Sequence, residues 1–315
     1  MHYEGNLMSP QEFAYKFLRA LFVPKHRFFA LVRCGFYSSM PDNEYLKLAY
    51  KYCMGKELDL ENPQTFTEKL NWLKLNDHRP EYTIMADKYA VKKFVSDKIG
   101  EEYVIPLLGV YDSFSEIDFD SLPNQFVLKC NHDSGGGMSI CRDKSKFDKE
   151  TAERKITASL KRTYGTRTKE WVYANIPHKI IAEQYMQDGD NPNLPVYKFF
   201  TFNGEPKLIQ AIQDDKTKYE TIDYFDTEWK KLNLRQNYPN SKVPYEKPEC
   251  LDEMLRIAAK LSTGIPHVRV DLYQINGKVY FSEFTFYSDA GLTGFDPPEW
   301  DETLGSWLEL PEKHC

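Results

Sequence analysis

Nothing in this 315-residue chain repeats, and no stretch of it is of low complexity. No segment holds the roughly 20 apolar residues needed to span a bilayer. The nearest, from Phe17 to Tyr37, is broken by Arg19, Pro24, Lys25, His26, Arg27 and Arg33. Its mix of Phe, Leu and basic residues suits either a helical cap on the core, the plainer reading, or a segment lying on a membrane surface. Glu4 and the absence of a long apolar run at the start argue against a signal peptide. The six cysteines (Cys34, Cys53, Cys130, Cys141, Cys250, Cys315) form no C-x-x-C pair, so reduced thiols in a cytoplasmic protein are expected instead of a disulfide frame or zinc site. The seven histidines show no metal-ligand spacing. A net charge of −6 leaves no basic surplus to displace phosphate counterions, which argues against broad nucleic-acid binding. There is no G-x-S-x-G and no cysteine in a nucleophile motif, so no nucleophilic triad is in view.

What is present describes a folded chain. Charged residues make up 28% and aromatics 15%, and 315 residues allow one large or two ordinary domains. Capping boxes at Ser9-Pro10-Gln11-Glu12 and Thr65-Phe66-Thr67-Glu68 predict helix starts, the second helix running through Leu75. Helices are also expected over 42–53, 81–97, 147–162 and 248–262. Strands are expected over 103–110, 125–130, 138–141 and 179–186, with a hairpin 197–202/207–212 around Asn203-Gly204. Helices interspersed with hairpins indicate α+β layers and not a doubly wound parallel sheet.

The most informative segment is a second hairpin, His267 to Phe286, around Asn276-Gly277. It sets Arg269, Asp271 and Glu283 into core-like strands. Charges in a sheet interior cost several kcal/mol unless paired or metal-bound. A two-residue turn pairs Tyr273 with Tyr280 and Asp271 with Ser282, which sends Glu283 to the opposite face. A three-residue turn with Gly277 at positive φ sets Arg269 opposite Glu283 and Asp271 diagonal to it, roughly 7–8 Å away. A metal site therefore predicts the three-residue, bulged turn. The plainer alternative is a surface ion pair between Asp271 and Arg269.

The second motif runs from Phe126 to Ile140: a strand carrying Lys129, a polar loop with Ser134, Gly135, Gly136 and Gly137, then another strand. Glycines let backbone N–H groups approach an anion, and a lysine at a strand end suits a phosphate. The loop joins two strands, so neither the P-loop nor the G-x-G-x-x-G pattern describes it. His132 and Asp133 are either proton acceptors or plain polar loop residues. Lys198, between Tyr197 and Phe199, is either a second phosphate ligand or an edge-strand lysine. Glu183, in Ile-Ile-Ala-Glu183, either meets a nucleoside or is solvated.

In this order the motifs resemble the ATP-grasp superfamily, and more narrowly its TupA-like family, which occurs in polysaccharide gene clusters and is named for teichuronopeptide biosynthesis. The similarity covers roughly Asn62 to Leu310. It is carried by the glycine loop, Glu170-Trp171-Val172-Tyr173, Ile-Ile-Ala-Glu183, Tyr197-Lys-Phe-Phe-Thr-Phe-Asn-Gly-Glu-Pro206, Tyr224-Phe-Asp-Thr-Glu-Trp229, Val268-Arg-Val-Asp-Leu-Tyr273 and Phe281-Ser-Glu-Phe-Thr-Phe286. The resemblance implies two α+β subdomains gripping ATP beneath a mobile glycine flap, with an N-terminal helical extension. The implied organisation is a helical region over 1–78, the start of the core over 79–124, a flap subdomain over 125–186, and a C-terminal subdomain with the metal site over 187–315. By the same analogy Lys129, Lys198 and the Ser134–Gly137 loop hold phosphates and Glu183 the adenosine. Asp271 and Glu283 bind Mg²⁺, and Arg269 and Lys198 act on the transferred group. The chain departs from many superfamily members at Thr285, where asparagine is frequent, and at Asp215-Lys216, where Asp-Arg is expected.

The activity so implied is ATP- and Mg²⁺-dependent ligation of a carboxylate to an amine through an acyl phosphate. The expected substrates are glycan-linked, in a bacterial surface polysaccharide or its precursor, with no nucleic-acid partner. Peripheral association with a membrane-bound synthesis complex is a further expectation. Two other readings stand beside it: a glycosyltransferase using the D-x-D triplets Asp118-Phe-Asp120 or Asp188-Gly-Asp190, and a non-catalytic scaffold docking through Phe17 to Arg33. The aromatic loop Tyr164 to Tyr173, with Arg167 and Trp171, either stacks on sugar or belongs to the core.

Overall fold

A computed structural model of the protein describes residues 23–134, 136–189, 194–213 and 219–312. The Ser9 capping box, Gly135, Asp190, Asp215-Lys216, Cys315 and the start of the Phe17–Tyr37 segment lie outside these residues. Among the described residues no helix is long and apolar enough to cross a membrane, and Cys34, Cys53, Cys130, Cys141 and Cys250 are free thiols.

Among the described residues the chain forms two antiparallel sheets. The first has the order β1-β4-β2-β3, from β1 (Leu107–Tyr111), β2 (Phe126–Cys130), β3 (Met138–Cys141) and β4 (Ile180–Gln184). Helix α6 (Lys149–Leu160) packs on β2 and β3, and the apolar residues between them form a separate core around Phe126, Leu128, Ile156 and Ile180. The second sheet has the order β7-β6-β5-β8-β9, from β5 (Val196–Phe202), β6 (Glu205–Gln213), β7 (Thr221–Phe225), β8 (His267–Ile275) and β9 (Lys278–Thr285). It shares the main core with α3 (Phe66–Asn76) and α7 (Leu251–Ser262), whose Met254, Ile257, Ala258 and Leu261 are all buried. The layered α+β reading is therefore correct. β7 had no sequence signal beyond the Tyr224 motif.

At the N-terminal end, α1 (Pro24–Arg33) and α2 (Asp42–Met54) build a small aromatic cluster in which Phe28 stacks on Tyr52 at 5.2 Å. The described part of the Phe17–Tyr37 segment thus packs as a helical cap. The Thr65 capping box forms as expected, with Glu68 returning to the Thr65 N–H at 3.0 Å. The chain closes with α8 (Glu299–Trp307), which lies on α3.

The helix expected over 81–97 is two helices, α4 (Glu81–Ala86) and α5 (Ala90–Ile99). Asp87 accepts a hydrogen bond from the Tyr89 N–H at 2.8 Å, and the Lys88 N–H donates to the Asn131 carbonyl at 3.0 Å. The turn breaks the helical ladder and redirects Lys88.

Both Asn-Gly hairpins turn in two residues. Asn203 and Gly204 have φ 51° and 86°, and Asn276 and Gly277 have φ 50° and 70°, the backbone of a tight hairpin turn. The three-residue turn expected of a metal site is not formed, and Tyr273 pairs with Tyr280. The extra residue sits further along. Leu272 faces Phe281, but Asp271 faces Glu283, so Ser282 is bulged out of β9. In the other hairpin Thr201 faces Pro206 while Phe200 faces Leu208, which leaves Lys207 bulged. A bulge resets every following side chain to the other face.

Candidate functional site

The two bulges together lay one polar row across the second sheet. Tyr224 faces Gln210, Gln210 faces Lys198, Lys198 faces Asp271, and Asp271 faces Glu283. Directly opposed residues point to the same side of a sheet, so five strands contribute one polar side chain each to a single line. Arg269, two residues from Asp271, lies on the same face. It grips both Asp271 oxygens, Nε at 2.7 Å and Nη2 at 2.8 Å, and donates to Thr285 Oγ at 2.9 Å. Lys198 Nζ stands 3.5 Å from Asp271 Oδ2. The Arg269–Asp271 pair exists, but as a buried one, not a surface one. Burial works against the guanidinium charge, and the Asp271 carboxylate outweighs it, holding Arg269 above its ordinary pKa.

The first sheet brings Lys129 and Glu183 to one face, because Lys129 pairs with Ile181 and Val127 with Glu183. Glu183 is bracketed by two ammonium groups, Lys129 Nζ and Lys92 Nζ, each at 2.6 Å from one of its oxygens. Burial alone would raise the Glu183 pKa; the two lysines outweigh it and lower it. Lys92 is pushed down by burial despite its partner. One turn before Lys92, Lys88 Nζ donates to the Asp133 carbonyl at 2.6 Å and stands 3.3 Å from Glu283 Oε2.

Two sets of contacts, Lys129–Glu183–Lys92 and Lys88–Glu283 with Asp271, Arg269 and Lys198, are joined through the segment 88–92 into one ribbon. It crosses from one sheet to the other and carries five basic groups against three carboxylates. Sequence reasoning missed Lys88 and Lys92, which fall inside the single helix expected over 81–97. Two like charges four apart disfavour a solvated helix face, and that was the available signal.

The glycine loop closes on Asp133. Its Oδ2 accepts the Gly137 N–H at 2.6 Å and the Ser159 hydroxyl. A Cβ at Gly137 would come within 2.6 Å of Ser159 Cβ and 2.7 Å of Cys130 Sγ, so glycine is needed there for close packing. Ser134 is exposed on the loop, whereas Asn131, His132 and Asp133 are buried beneath it. His132 stacks on His178 at 3.6 Å, and burial together with His178 lowers its pKa. His132 and Asp133 therefore hold the loop's base. Asp118 accepts hydrogen bonds from the Asp120 and Ser121 N–H groups in an exposed turn, and Asp188 accepts from the Asn276 N–H.

The aromatic loop packs as core. Val172 and Tyr173 are buried, Tyr164 meets Tyr173 edge-on at 4.9 Å, and the Arg167 carbonyl accepts the Tyr45 hydroxyl at 2.6 Å. Beside it, buried Lys74 donates to the Thr168 carbonyl at 2.8 Å and to the Ala290 carbonyl at 2.7 Å. Burial lowers the Lys74 pKa to about 8, with Glu170 opposing the shift.

Asp271 and Glu283 are two hard oxygen donors on one face. Among the described residues no group of three or more His, Cys, Asp or Glu has a metal-binding arrangement. Mg²⁺ is commonly held by one or two carboxylates, with substrate phosphates and water completing its shell. The pair fits that ion if a polyphosphate accompanies it, and the basic surplus of the ribbon fits the polyphosphate.

A cleft of about 440 Å³ is lined by Val104, Pro106, Gln184, Met186 and Tyr280 among others. Gln184 in its wall is the residue after Glu183 in β4.

The family model described as TupA-like ATPgrasp matches residues 68–309. No curated protein gives a significant match. Among solved structures, a D-alanine–D-alanine ligase from Bacillus anthracis complexed with ATP is 15% identical, with a TM-score of 0.37 over 70% of this chain and 55% of that one. The corresponding ligase from Helicobacter pylori is 15% identical, with a TM-score of 0.38 over 72% and 62%. The D-cycloserine synthetase DcsG is 14% identical, with a TM-score of 0.39 over 66% and 64%. The chain thus spans less than two thirds of the length of each.

Proposed function

This chain belongs to the TupA-like ATP-grasp family, and from that premise we propose that it is an ATP- and Mg²⁺-dependent ligase joining a carboxylate to an amine. The observation that carries the reading is the ribbon of five cations and three carboxylates spanning both sheets. Such a line suits a triphosphate lying between the sheets, and the cleft at Gln184 and Met186 suits its base. Asp271 and Glu283 would hold Mg²⁺, which when bound offsets phosphate charge.

In this reaction a substrate carboxylate oxygen bonds to the γ-phosphorus as the bond to the bridging oxygen of ADP breaks. The amine nitrogen then bonds to the acyl carbon, phosphate leaves, and the nitrogen loses a proton. The chain's own work is charge and position: Lys129 and Lys198 at the phosphates, Arg269 at the transferred group, and the Ser134–Gly137 loop excluding water. Arg269 and Lys198, which rest on Asp271 in the structure, would offset charge on the phosphates and the transferred group. A polysaccharide or its precursor as substrate rests on the family resemblance alone. So does peripheral association with a membrane-bound synthesis complex.

Thermal shift with ATP or UDP-sugars, each with and without Mg²⁺, tests the reading. ATP with Mg²⁺ should raise Tm, and Asp271→Asn should abolish the rise while keeping the fold. A rise with UDP-sugar alone would favour the glycosyltransferase.

A further inference from the structure

We propose that the end of the molecule where α1 meets the loop after α6 is a docking surface for an anionic lipid bilayer. The proposal does not depend on the ligase reading, and its partner is the lipid itself and not a protein complex. It starts from how charge is distributed. Residues 24–41 and 154–169 together carry nine Lys and Arg and no Asp or Glu, in a chain of net charge −6. A chain that is acidic on the whole can still dock on an anionic surface through one segregated basic face.

Folding brings these two stretches together, and Tyr45 of α2 is the joint. Its hydroxyl donates to the Arg167 carbonyl at 2.6 Å, and its ring lies 5.6 Å from the Phe28 ring of α1. Lys169 secures the same seam, with Nζ 2.7 Å from Asp42 Oδ1 and 5.0 Å from the centre of the Tyr45 ring. Lys169 is thus a tie within the fold. Arg27 and Arg33 of α1, and Lys161, Arg162 and Arg167 of the loop, are all exposed on either side of it. The carboxylates beside them are Asp42, which Lys169 engages, and Glu44, both in the first turn of α2.

Basic charge alone would suit any polyanion, and the apolar groups beside it favour lipid. Phe36, three residues after Arg33, is 71% exposed, and Leu31, one turn after Arg27, is only half-buried. Phe28 of the same helix is buried in the aromatic cluster, so α1 caps the core with one side and turns its arginines outward on the other. A protruding ring among cations suits a bilayer interface, where the ring enters the headgroup region and the cations stay with the phosphates. A soluble polyanion offers Phe36 nothing to enter. In sequence, residues 13–22 continue the same composition, with Phe13, Phe17 and Phe22 beside Lys16 and Arg19 and no carboxylate.

Flotation of the full chain with phosphatidylglycerol–phosphatidylcholine vesicles and with pure phosphatidylcholine vesicles tests this, alongside binding to soluble dextran sulfate. The wild type should float with the mixed vesicles only, and lose them as NaCl rises from about 0.05 to about 0.5 M and screens the contact. Arg27→Ala with Arg33→Ala, and Lys161→Ala with Arg162→Ala, should each weaken vesicle binding about tenfold or more, because both segments face the lipid. Lys242→Ala, exposed and outside both segments, should bind as the wild type does. Phe36→Ser should weaken vesicle binding and leave dextran sulfate binding unchanged. No flotation of the wild type, or flotation unchanged in both double variants, overturns the proposal. So does a Lys242→Ala loss as large as theirs. Flotation indifferent to Phe36→Ser also overturns it, and with dextran sulfate bound it assigns the face to soluble polyanions.

Discussion

Glu183 shows how a buried carboxylate is kept charged. It is 4% exposed, and two lysines satisfy both oxygens. Replacing one of them leaves an under-paired buried charge, so Lys92→Met should lower stability by about 1–3 kcal/mol in denaturant unfolding. His267 is the opposite case, a buried group kept neutral. Burial pushes its pKa down to about 3, the Thr201 carbonyl hydrogen bond opposing weakly. Its folded pKa lies below the unfolded value of 6.5, so the unfolded chain binds the proton first. Stability from this group is full above pH 6.5 and falls as pH drops toward 3, by up to about 1.4 kcal/mol per unit. His267→Asn should flatten that limb of the stability–pH profile relative to wild type.

At the scale of elements, the last helix works as a clamp on α3. Asp301 of α8 is buried and accepts the Thr67 N–H at 2.9 Å and the Thr67 hydroxyl at 2.7 Å, so a distant helix caps the start of α3. Gly305 sits where a Cβ would come 2.2 Å from the Gln64 carbonyl oxygen and 2.8 Å from the Phe66 nitrogen. Backbone cannot yield as a side-chain tip can, so Gly305→Ala should cost about 3 kcal/mol. Asp301→Ala should cost about 1–2 kcal/mol. Both are read in the unfolding midpoint. α3 also supplies Asn71 and Lys74, which hold the Gly291 and Ala290 carbonyls at 2.8 and 2.7 Å. The bulges are the other device at this scale: each spends one residue to bring a polar side chain into line.

The described residues form one core under each sheet, plus the small N-terminal cluster. The core under the first sheet is much the smaller of the two, so that unit should open below the global unfolding free energy. A ligand bridging the ribbon joins the sheets and should suppress this opening. In amide hydrogen exchange, ATP with Mg²⁺ should slow exchange in 126–130 and 180–184 more than in the centre of β5 and β8. Equal protection everywhere would count against binding between the sheets. The Lys129→Met variant should lose most of the selective effect.

Much of this was legible along the chain. The Thr65 capping box, the Asn-Gly turns, the strand–glycine–strand motif and the α+β layering follow from local rules of propensity, period and turn chemistry. Arg269, Asp271, Glu283, Lys129, Lys198 and Glu183 stood out because charges in apolar strands demand partners. Who those partners are was beyond local reading. The metal reading placed the irregularity of the His267–Phe286 hairpin in its turn, whereas packing placed it at Ser282, because the bulge sets Phe281 and Phe284 on one face, 4.8 Å apart, while bringing Glu283 opposite Asp271. Lys88 and Lys92 joined the ribbon only because Asp87 and Asn131, 44 residues apart, break a helix together. Local free energy chose the elements; long-range packing and charge pairing chose the register and the site.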